Sequence, residues 1–237
     1  MRRFVLFLVL LCACGSKHET FRDAPVILIS VDTLRSDHLP AYGYRGVQTP
    51  HLDAFRRDSI LFARAYSHCP MTLPSHVSIL TGLLPTEHGV RNNIGYRFDG
   101  GKFPTLQKAL RERGYRTGAA VSSYVLRSET GIGNGFDFYD DAIPVAAAGA
   151  VSEHQRSGFE TLKVAKNWIG DNAKKPFFFF FHIYEPHAPY EPSYDGEIAK
   201  SDAIVGDLLR HLKSLSIYDR AIIVFLSDHG EGLWQHG

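Results

Sequence analysis

The stretch Val26-Ile27-Leu28-Ile29-Ser30-Val31-Asp32-Thr33-Leu34-Arg35 decides the fold. Its first six residues form a nearly continuous apolar run, which is typical of a strand buried on both faces of a parallel sheet. Polar residues follow directly, and in open sheets of this kind ligands bind beyond the carboxyl ends of the strands. The stretch therefore predicts a central strand with a functional residue, Asp32, at its end.

The rest of the chain alternates between strand-like and helix-like patterns. Apolar runs or β-favouring residues predict further strands over residues 60–66, 115–121, 177–181 and 222–226. Apolar residues at helical spacing, with caps and Gly stops, predict helices over residues 49–57, 75–80, 105–113, 159–169 and 198–215. The Gly- and Ala-rich residues 131–150 read as a loop. This alternation predicts an α/β fold with a doubly wound, mostly parallel sheet flanked by helices.

Composition excludes several classes of protein. The chain has 237 residues, of which 44% are hydrophobic; this length suits one large domain or two small ones, and the apolar share can fill a real core. With 16 Phe and 11 Tyr it carries too many rings for a disordered chain. Lys and Arg total 26 against 25 Asp and Glu, so the charge does not favour nucleic acid as a partner.

The first residues have the layout of an export signal. Arg2 and Arg3 precede an apolar run over residues 4–13, roughly half the ~20 residues that span a bilayer, so we predict a signal peptide over residues 1–13. Leu11-Cys12-Ala13-Cys14 is similar to a bacterial lipobox, which predicts lipidation of Cys14 and a tether over residues 14–24; the alternative is an ordinary signal peptide. We expect an exported protein of the periplasm or cell surface that contacts the membrane only through a lipid anchor.

Polar clusters follow three of the predicted strands. Asp32 ends the first, His182 and His187 follow the Phe-rich run, and Asp228-His229 ends the last. Asp32, Asp228 and His229 would supply two hard oxygens and one imidazole, a ligand set that suits Ca, Mn or Zn.

A further motif, Thr72-Leu73-Pro74-Ser75-His76, leads into a predicted helix whose N-terminal amides attract anions. A metal-held hydroxyl loses its proton more easily, so Thr72 is both a candidate ligand and the candidate nucleophile for attack on a tetrahedral anion. Three histidines could hold substrate oxygens or protonate the leaving group. They are His182, His187 and His236.

At these residues the chain resembles the sulfatase family of the alkaline-phosphatase superfamily. The motifs that carry the resemblance are, in order, Val31–Arg35, Tyr42–Tyr44, Thr72–His76, Leu80–Gly82, His88-Gly89, Gly114–Thr117, Glu185–Tyr190 and Ser227–Glu231. The resemblance implies an alkaline-phosphatase-like fold over residues 25–237 with one divalent metal, calcium by family. It also implies metal ligands at Asp32, Asp228 and His229 and a nucleophile at Thr72. From the residues themselves we predict a catalytic role for His76 and place His236 and Arg35 at the substrate; the alternative for Arg35 is a structural ion pair with Asp37.

Three of the chain's departures from the family pattern fall on the first ligand motif and the nucleophile motif. Thr33 stands where sulfatases usually carry a second Asp, Thr72 replaces the Cys or Ser that becomes formylglycine, and His76 replaces the signature Arg. The set Asp, Thr, Asp, His instead looks like the one-metal site of the family's phosphoglycerol and phosphoethanolamine transferases. A formylglycine hydrate expels sulfate by collapsing to an aldehyde, whereas a threonine ester must be attacked again at its central atom.

Three functions therefore remain open. The first is a hydrolase of sulfate esters or related anionic esters; the second is a phosphodiesterase or phosphoryl transferase that uses the same residues. The third is a truncated, inactive binding module, because the chain stops at Gly237, directly after its last ligand motif, where family members continue. We expect the substrate to be a small molecule, or a glycan or lipid headgroup, that carries an anionic ester.

Overall fold

The computed structural model describes residues 21–144 and 154–235. Its sheet contains β1 (Val26–Val31), β2 (Arg116–Ala120), β3 (Phe138–Asp140), β4 (Phe177–Ile183) and β5 (Ile222–Ser227). Their order is β3-β2-β4-β1-β5, and all neighbouring strands are parallel. The helices are α1 (Pro50–Arg57), α2 (Thr72–Thr81), α3 (Pro85–His88), α4 (Leu106–Glu112), α5 (Gly158–Asn172) and α6 (Tyr194–Ser214). The predicted α/β architecture with a parallel, helix-flanked sheet is confirmed.

Three predicted features, the signal peptide, Cys14 and His236, lie outside the described residues. Within the described ranges, no helix combines the length and the apolar character needed to cross a bilayer.

The five consecutive Phe of β4 show how the sheet is covered on both faces. Because side chains alternate along a strand, Phe177, Phe179 and Phe181 join the core formed with α5 and α6. The other two, Phe178 and Phe180, join the core beneath α2. All five rings are fully buried, so a strand that looks unpatterned in sequence serves two cores at once.

Close contact between α5 and the sheet requires a glycine in β2. A Cβ built on Gly118 would lie 2.6 Å from the Trp168 ring and 2.9 Å from Phe179. The Trp168 indole therefore packs directly on the β2 backbone, and this contact fixes α5 against the sheet.

Two local predictions are wrong. Residues 60–66 form no strand; within the described chain they pair with no strand, and Ile60, Phe62 and Tyr66 are exposed. β-favouring residues form a strand only beside a partner, which this segment lacks among the described residues. The stretch predicted as a loop contains β3, since three residues suffice for an edge strand that pairs with Gly118–Ala120.

The register of the sheet determines where the polar strand ends meet. Val31, the last residue of β1, pairs with Ile183 of β4 and with Ser227 of β5. The next residues, Asp32 and Asp228, therefore leave two adjacent strands at the same level of the sheet.

Candidate active site

Two buried carboxylates lie at the carboxyl ends of β1 and β5. Oδ1 of Asp228 accepts hydrogen bonds from the backbone amides of Thr33 (3.1 Å) and His229 (2.8 Å). Its Oδ2 and both carboxylate oxygens of Asp32 have no hydrogen-bond partner among the described residues. Unpaired buried carboxylate oxygens are costly, which indicates that a positively charged group belongs between them.

The ring of His229 completes this cluster. Its Nδ1 lies 2.8 Å from the carbonyl of Gly230, and because a carbonyl only accepts, the proton sits on Nδ1. The lone pair of Nε2 is thereby directed at the carboxylates, 3.6 Å from Asp32 Oδ1 and 3.5 Å from Asp228 Oδ2. Such a hydrogen bond is how proteins orient a metal-ligating imidazole.

The donor set fits a divalent cation. One ligand atom each from Asp32, Asp228 and His229 lies within 4.8 Å of the others. Two carboxylates and a neutral imidazole suit Ca²⁺, Mn²⁺ or Zn²⁺, and a cation would satisfy the unpaired oxygens. These are the residues that the sequence predicts as ligands.

Electrostatics show the same need for positive charge. Burial raises the pKa of Asp32 to about 6, although His229 lowers it. Burial also raises the pKa of Asp228, and the nearby Asp32 carboxylate raises it further. Burial lowers the pKa of His229, but the two carboxylates outweigh this and the net shift is upward. The cluster therefore holds more negative charge than the surrounding protein compensates.

Helix α2 presents Thr72 to this cluster from its first turn. The Thr72 hydroxyl lies 3.2 Å from Nε2 of His229. Two contacts hold this end of the helix: Ser75 Oγ donates to the carbonyl of Asp228 (2.7 Å), and Asn93 Oδ1 accepts from the amide of Leu73 (2.9 Å). The helix begins at Thr72 itself, three residues before the predicted start.

His76 lies fully buried behind Thr72. Its Nδ1 donates to the Thr72 carbonyl (2.7 Å), and its Nε2 therefore accepts from the Ser30 hydroxyl (2.8 Å). Burial lowers its pKa to about 4. Both nitrogens of a neutral ring are thus used, and they tie α2 to β1.

His182 occupies a similar place behind Asp32. Its Nδ1 accepts from the amide of Ser122 (3.4 Å), which places the ring proton on Nε2, 3.6 Å from Asp32 Oδ2. Burial lowers its pKa to about 4. The ring is fully buried, so it contacts the carboxylate from the protein side.

A cleft opens in front of Thr72. Its cavity of about 150 Å³ is lined by Thr72, Asn93, Ile94, Ser123, Val125, Tyr184 and His187. Nδ1 of His187 donates to the Ala188 carbonyl (2.7 Å), which leaves Nε2 without a protein partner among the described residues. Of the predicted histidines in the described chain, His187 is the one that lines the space beside the Thr72 hydroxyl.

Arg35, predicted at the substrate, is engaged in protein contacts. Its guanidinium binds both carboxylate oxygens of Asp37 (3.0 and 2.7 Å) and donates to the carbonyl of Glu231 (3.0 Å). It therefore joins the loop after β1 to the loop after β5. The other predicted substrate residue, His236, lies outside the described residues.

Asn93 is a residue of this cleft that the sequence analysis does not identify. Its Oδ1 caps the amide of Leu73, which leaves the Nδ2 donors with no partner among the described residues while the side chain lines the cavity beside Thr72. Its only sequence signal is a position in a Gly- and Asn-containing loop shortly after His88-Gly89. No strand end or periodicity marks it.

The chain was also compared with known protein families. Residues 25–237 match the family described as Sulfatase. The chain belongs to the sulfatase family. Its fold is accordingly the alkaline-phosphatase-like α/β fold, and the predicted family is confirmed.

Among curated relatives of this sulfatase-family chain is an N-acetylglucosamine-6-O-sulfatase of Bacteroides thetaiotaomicron, 27% identical over 77% of this chain and 34% of the relative. Another is an ulvan-active sulfatase of Formosa agariphila, 25% identical over 93% of this chain and 54% of the relative. The chain thus spans a third to about half the length of these relatives.

The solved structures show the same fold. The phosphonate monoester hydrolase of Agrobacterium radiobacter superimposes with a TM-score of 0.72 at 22% identity, over 88% of this chain and 63% of that one. At this identity the match concerns the fold alone.

Proposed function

We propose that the chain is a metal-dependent hydrolase that cleaves sulfate esters or related anionic esters, with Thr72 as the nucleophile. The observation that carries the proposal is the position of the Thr72 hydroxyl, 3.2 Å from His229 Nε2 and open to the cleft. This hydroxyl lies in the first turn of a helix and beside a donor set that fits a cation. It can therefore attack an anionic ester bound in the cleft.

Asp32, Asp228 and His229 would hold the cation, because their free oxygens and lone pair converge. A divalent cation bound there supplies positive charge that stabilises the anionic ester and lowers the pKa of a neighbouring hydroxyl. Calcium is the ion that family membership favours, and the donor set also accepts Mn or Zn.

The reaction that these residues can perform has two displacements. The Thr72 hydroxyl releases its proton to solvent, Oγ1 attacks the sulfur or phosphorus atom, and the bond from that atom to the ester oxygen breaks. The departing oxygen takes a proton from Nε2 of the imidazolium form of His187, whose Nδ1 keeps the proton that it donates to the Ala188 carbonyl. Water then attacks the threonine ester: one of its protons returns to His187, the other restores the Thr72 hydroxyl, and the inorganic anion leaves.

The remaining side chains orient the reacting groups. The Asn93 Nδ2 donors would hold the anion's non-bridging oxygens. His76 holds the backbone of Thr72, and His182 supports Asp32 from behind. Because neither ring reaches the cleft, we assign both a positioning role.

We propose a carbohydrate ester as the substrate class. The relatives support this choice, because they are named for activity on N-acetylglucosamine 6-O-sulfate and on ulvan. The cleft combines polar groups of Asn93, Ser123 and His187 with the ring of Tyr184, which is compatible with such a substrate.

A phosphodiesterase or phosphoryl transferase is the second candidate, favoured by Thr72 itself. A threonine ester of phosphate is readily displaced by water or an acceptor, whereas a threonine ester of sulfate lacks the aldehyde exit of formylglycine. The third candidate is a binding module without turnover.

One experiment separates the three. The protein is incubated with 4-nitrophenyl sulfate or with bis(4-nitrophenyl) phosphate, each with Ca, Mn and Zn in turn, and the peptide that contains Thr72 is analysed by mass spectrometry after acid quench. Sulfothreonine with turnover supports the sulfatase, and phosphothreonine supports the phosphoryl enzyme. A folded protein that turns over neither ester with any ion would contradict both.

A further inference from the structure

The turn that follows β1 has a strained residue at its centre. Thr33 has φ +55°, in the left-handed region that β-branched residues rarely adopt. Its side chain is buried, and its hydroxyl has no partner among the described residues. The surrounding structure must hold the turn in this conformation.

The strained conformation has a consequence for the metal cluster. It directs the Thr33 amide at Oδ1 of Asp228 (3.1 Å). With Oδ1 committed, only Oδ2 of that carboxylate faces Asp32 and His229. The direction of Asp228 Oδ2 therefore depends on the backbone of Thr33.

Tyr194 closes the turn from the other side. Its hydroxyl donates to the carbonyl of Thr33 (2.6 Å) and accepts from the amide of Arg35 (2.8 Å). One oxygen thus holds the backbone on both sides of Leu34. Burial raises the pKa of this phenol, so the hydroxyl keeps the proton that it donates.

Tyr194 is itself firmly placed. It is the first residue of α6, where Ser193 Oγ accepts from the amide of Gly196 (3.1 Å). Its ring packs edge-on against His38, with centroids 5.1 Å apart. His38 in turn contacts Asp195 (2.7 Å), the next residue of α6.

We propose that Tyr194 is a positioning residue for the metal cluster: it clamps Thr33 in its left-handed conformation and thereby aims Asp228 Oδ2 at the cation. This inference rests on the metal-dependent function proposed above. It adds a residue that contacts no ligand atom and that acts through two backbone groups.

The test is cation binding by the full chain, measured calorimetrically with Ca²⁺ and with Mn²⁺. Tyr194→Phe removes only the hydroxyl, and we expect the Kd to rise about tenfold, the effect of losing a hydrogen bond of about 1.4 kcal/mol. The matched control is Tyr139→Phe, because the buried Tyr139 hydroxyl also donates to a backbone carbonyl, that of Leu126, at 2.6 Å. We expect the control to lose comparable stability but to retain the wild-type Kd.

A double variant tests the link through Thr33. Glycine adopts positive φ without strain, so Thr33→Gly should remove the need for the clamp. We expect Tyr194→Phe to raise the Kd less than threefold in the Thr33→Gly background, a non-additivity typical of coupled residues. Equal effects of Tyr194→Phe in both backgrounds would overturn the proposed route through Thr33.

The outcomes also separate this inference from the proposed function. A wild-type Kd in Tyr194→Phe, with the wild type binding the ion, would overturn the inference and leave the function standing. Failure of the folded wild type to bind any divalent ion would overturn both. Amide hydrogen exchange at Thr33 and Arg35, which needs no ion, should accelerate in Tyr194→Phe if the clamp exists; unchanged protection would overturn it.

Discussion

The hydroxyl of Thr72 lies 3.2 Å from Nε2 of His229, although 157 residues separate them in sequence. The first belongs to the opening turn of α2 and the second to the loop after β5. Their contact joins the candidate nucleophile to the candidate metal cluster, and Ser75 reinforces it by donating to the carbonyl of Asp228. The fold thus positions both groups before any substrate binds.

If Thr72 is the nucleophile, removing its hydroxyl should abolish turnover and leave binding intact. We expect Thr72→Ala to lower kcat by at least about 10³-fold with little change in ligand Kd, since the lost group acts in the chemical step. Thr72→Ser keeps a hydroxyl and should retain measurable turnover. Ester hydrolysis and equilibrium dialysis with a product anion check these outcomes; an unchanged rate in Thr72→Ala would exclude the proposed role.

Asp228→Asn distinguishes the roles of the two carboxylate oxygens of Asp228. The amide oxygen can still accept from Thr33 and His229, whereas an NH₂ group replaces the unpaired Oδ2. We expect divalent cation affinity to fall at least about 100-fold while the fold persists, because hard cations require anionic oxygens. The control is Asp207→Asn, at a half-buried residue of α6 that is not part of the cluster. Retained stoichiometric metal in Asp228→Asn would contradict the ligand set.

The candidate metal cluster could be predicted from the sequence for a specific reason. β1 and β5 are continuous apolar runs, and polar residues follow each of them at once, so the ends of two parallel strands identify Asp32 and Asp228. The imidazole of His229 adjoins one of these carboxylates in sequence. The register of β1 on β5 is then enough to bring Asp32, Asp228 and His229 together.

Other features depend on contacts that leave no pattern. Asn93 reaches the amide of Leu73 because its loop returns to the start of α2, and Tyr194 reaches Thr33 across 161 residues. The strand predicted over residues 60–66 has the right residue types but no neighbouring strand in the described chain. Pairing and loop return are tertiary events, which local propensity does not encode.

The lipid anchor can be tested independently of the fold. If Cys14 is the modified residue of a lipobox, the wild-type chain expressed in a bacterium should incorporate labelled palmitate and partition with membranes. Cys14→Ser should lose the label and enter the soluble exported fraction, and Cys12→Ser should behave as wild type. Label retained in Cys14→Ser would refute the anchor.

Asn93 offers a way to separate helix capping from anion binding. Asn93→Asp preserves an oxygen that can accept from the Leu73 amide but replaces the Nδ2 donors with negative charge. We expect stability within about 0.5 kcal/mol of wild type, since a carboxylate suits a helix N-terminus. The kcat/KM should nevertheless fall at least about 100-fold, the usual effect of losing a donor to a developing anion.

Asn93→Ala supplies the comparison. It removes both the cap and the donors, so we expect it to lose about 1 kcal/mol of stability in addition to activity. Chemical denaturation and steady-state kinetics on all three proteins give both quantities. Full activity in Asn93→Asp would show that the Nδ2 group takes no part in anion binding.

The buried carboxylate of Asp32 should contribute more to the stability of the metal-free protein as the pH falls. Burial raises its pKa from 3.8 to about 6, so the folded state binds this proton more tightly than the unfolded state. The contribution of Asp32 to the free energy of unfolding is fully present below about pH 4 and is lost as the pH rises through about 6. At about 1.4 kcal/mol per pKa unit, this contribution changes by about 3 kcal/mol over that range.

Asp32→Asn removes this contribution, because the variant carries no proton to titrate at that position. It also removes the upward effect of the Asp32 charge on the pKa values of Asp228 and His229. His76 and His182, whose pKa values burial lowers to about 4, destabilise both proteins on acidification. In EDTA, we therefore expect Asp32→Asn to be more stable than wild type at pH 7.5 and to lose this advantage by pH 4.5. Asp37→Asn is the control of opposite sign, since Arg35 lowers the pKa of Asp37. Urea unfolding across this pH range measures the free energy of unfolding of each protein. If the plots of this free energy against pH were parallel for wild type and Asp32→Asn, the cluster would carry no excess negative charge.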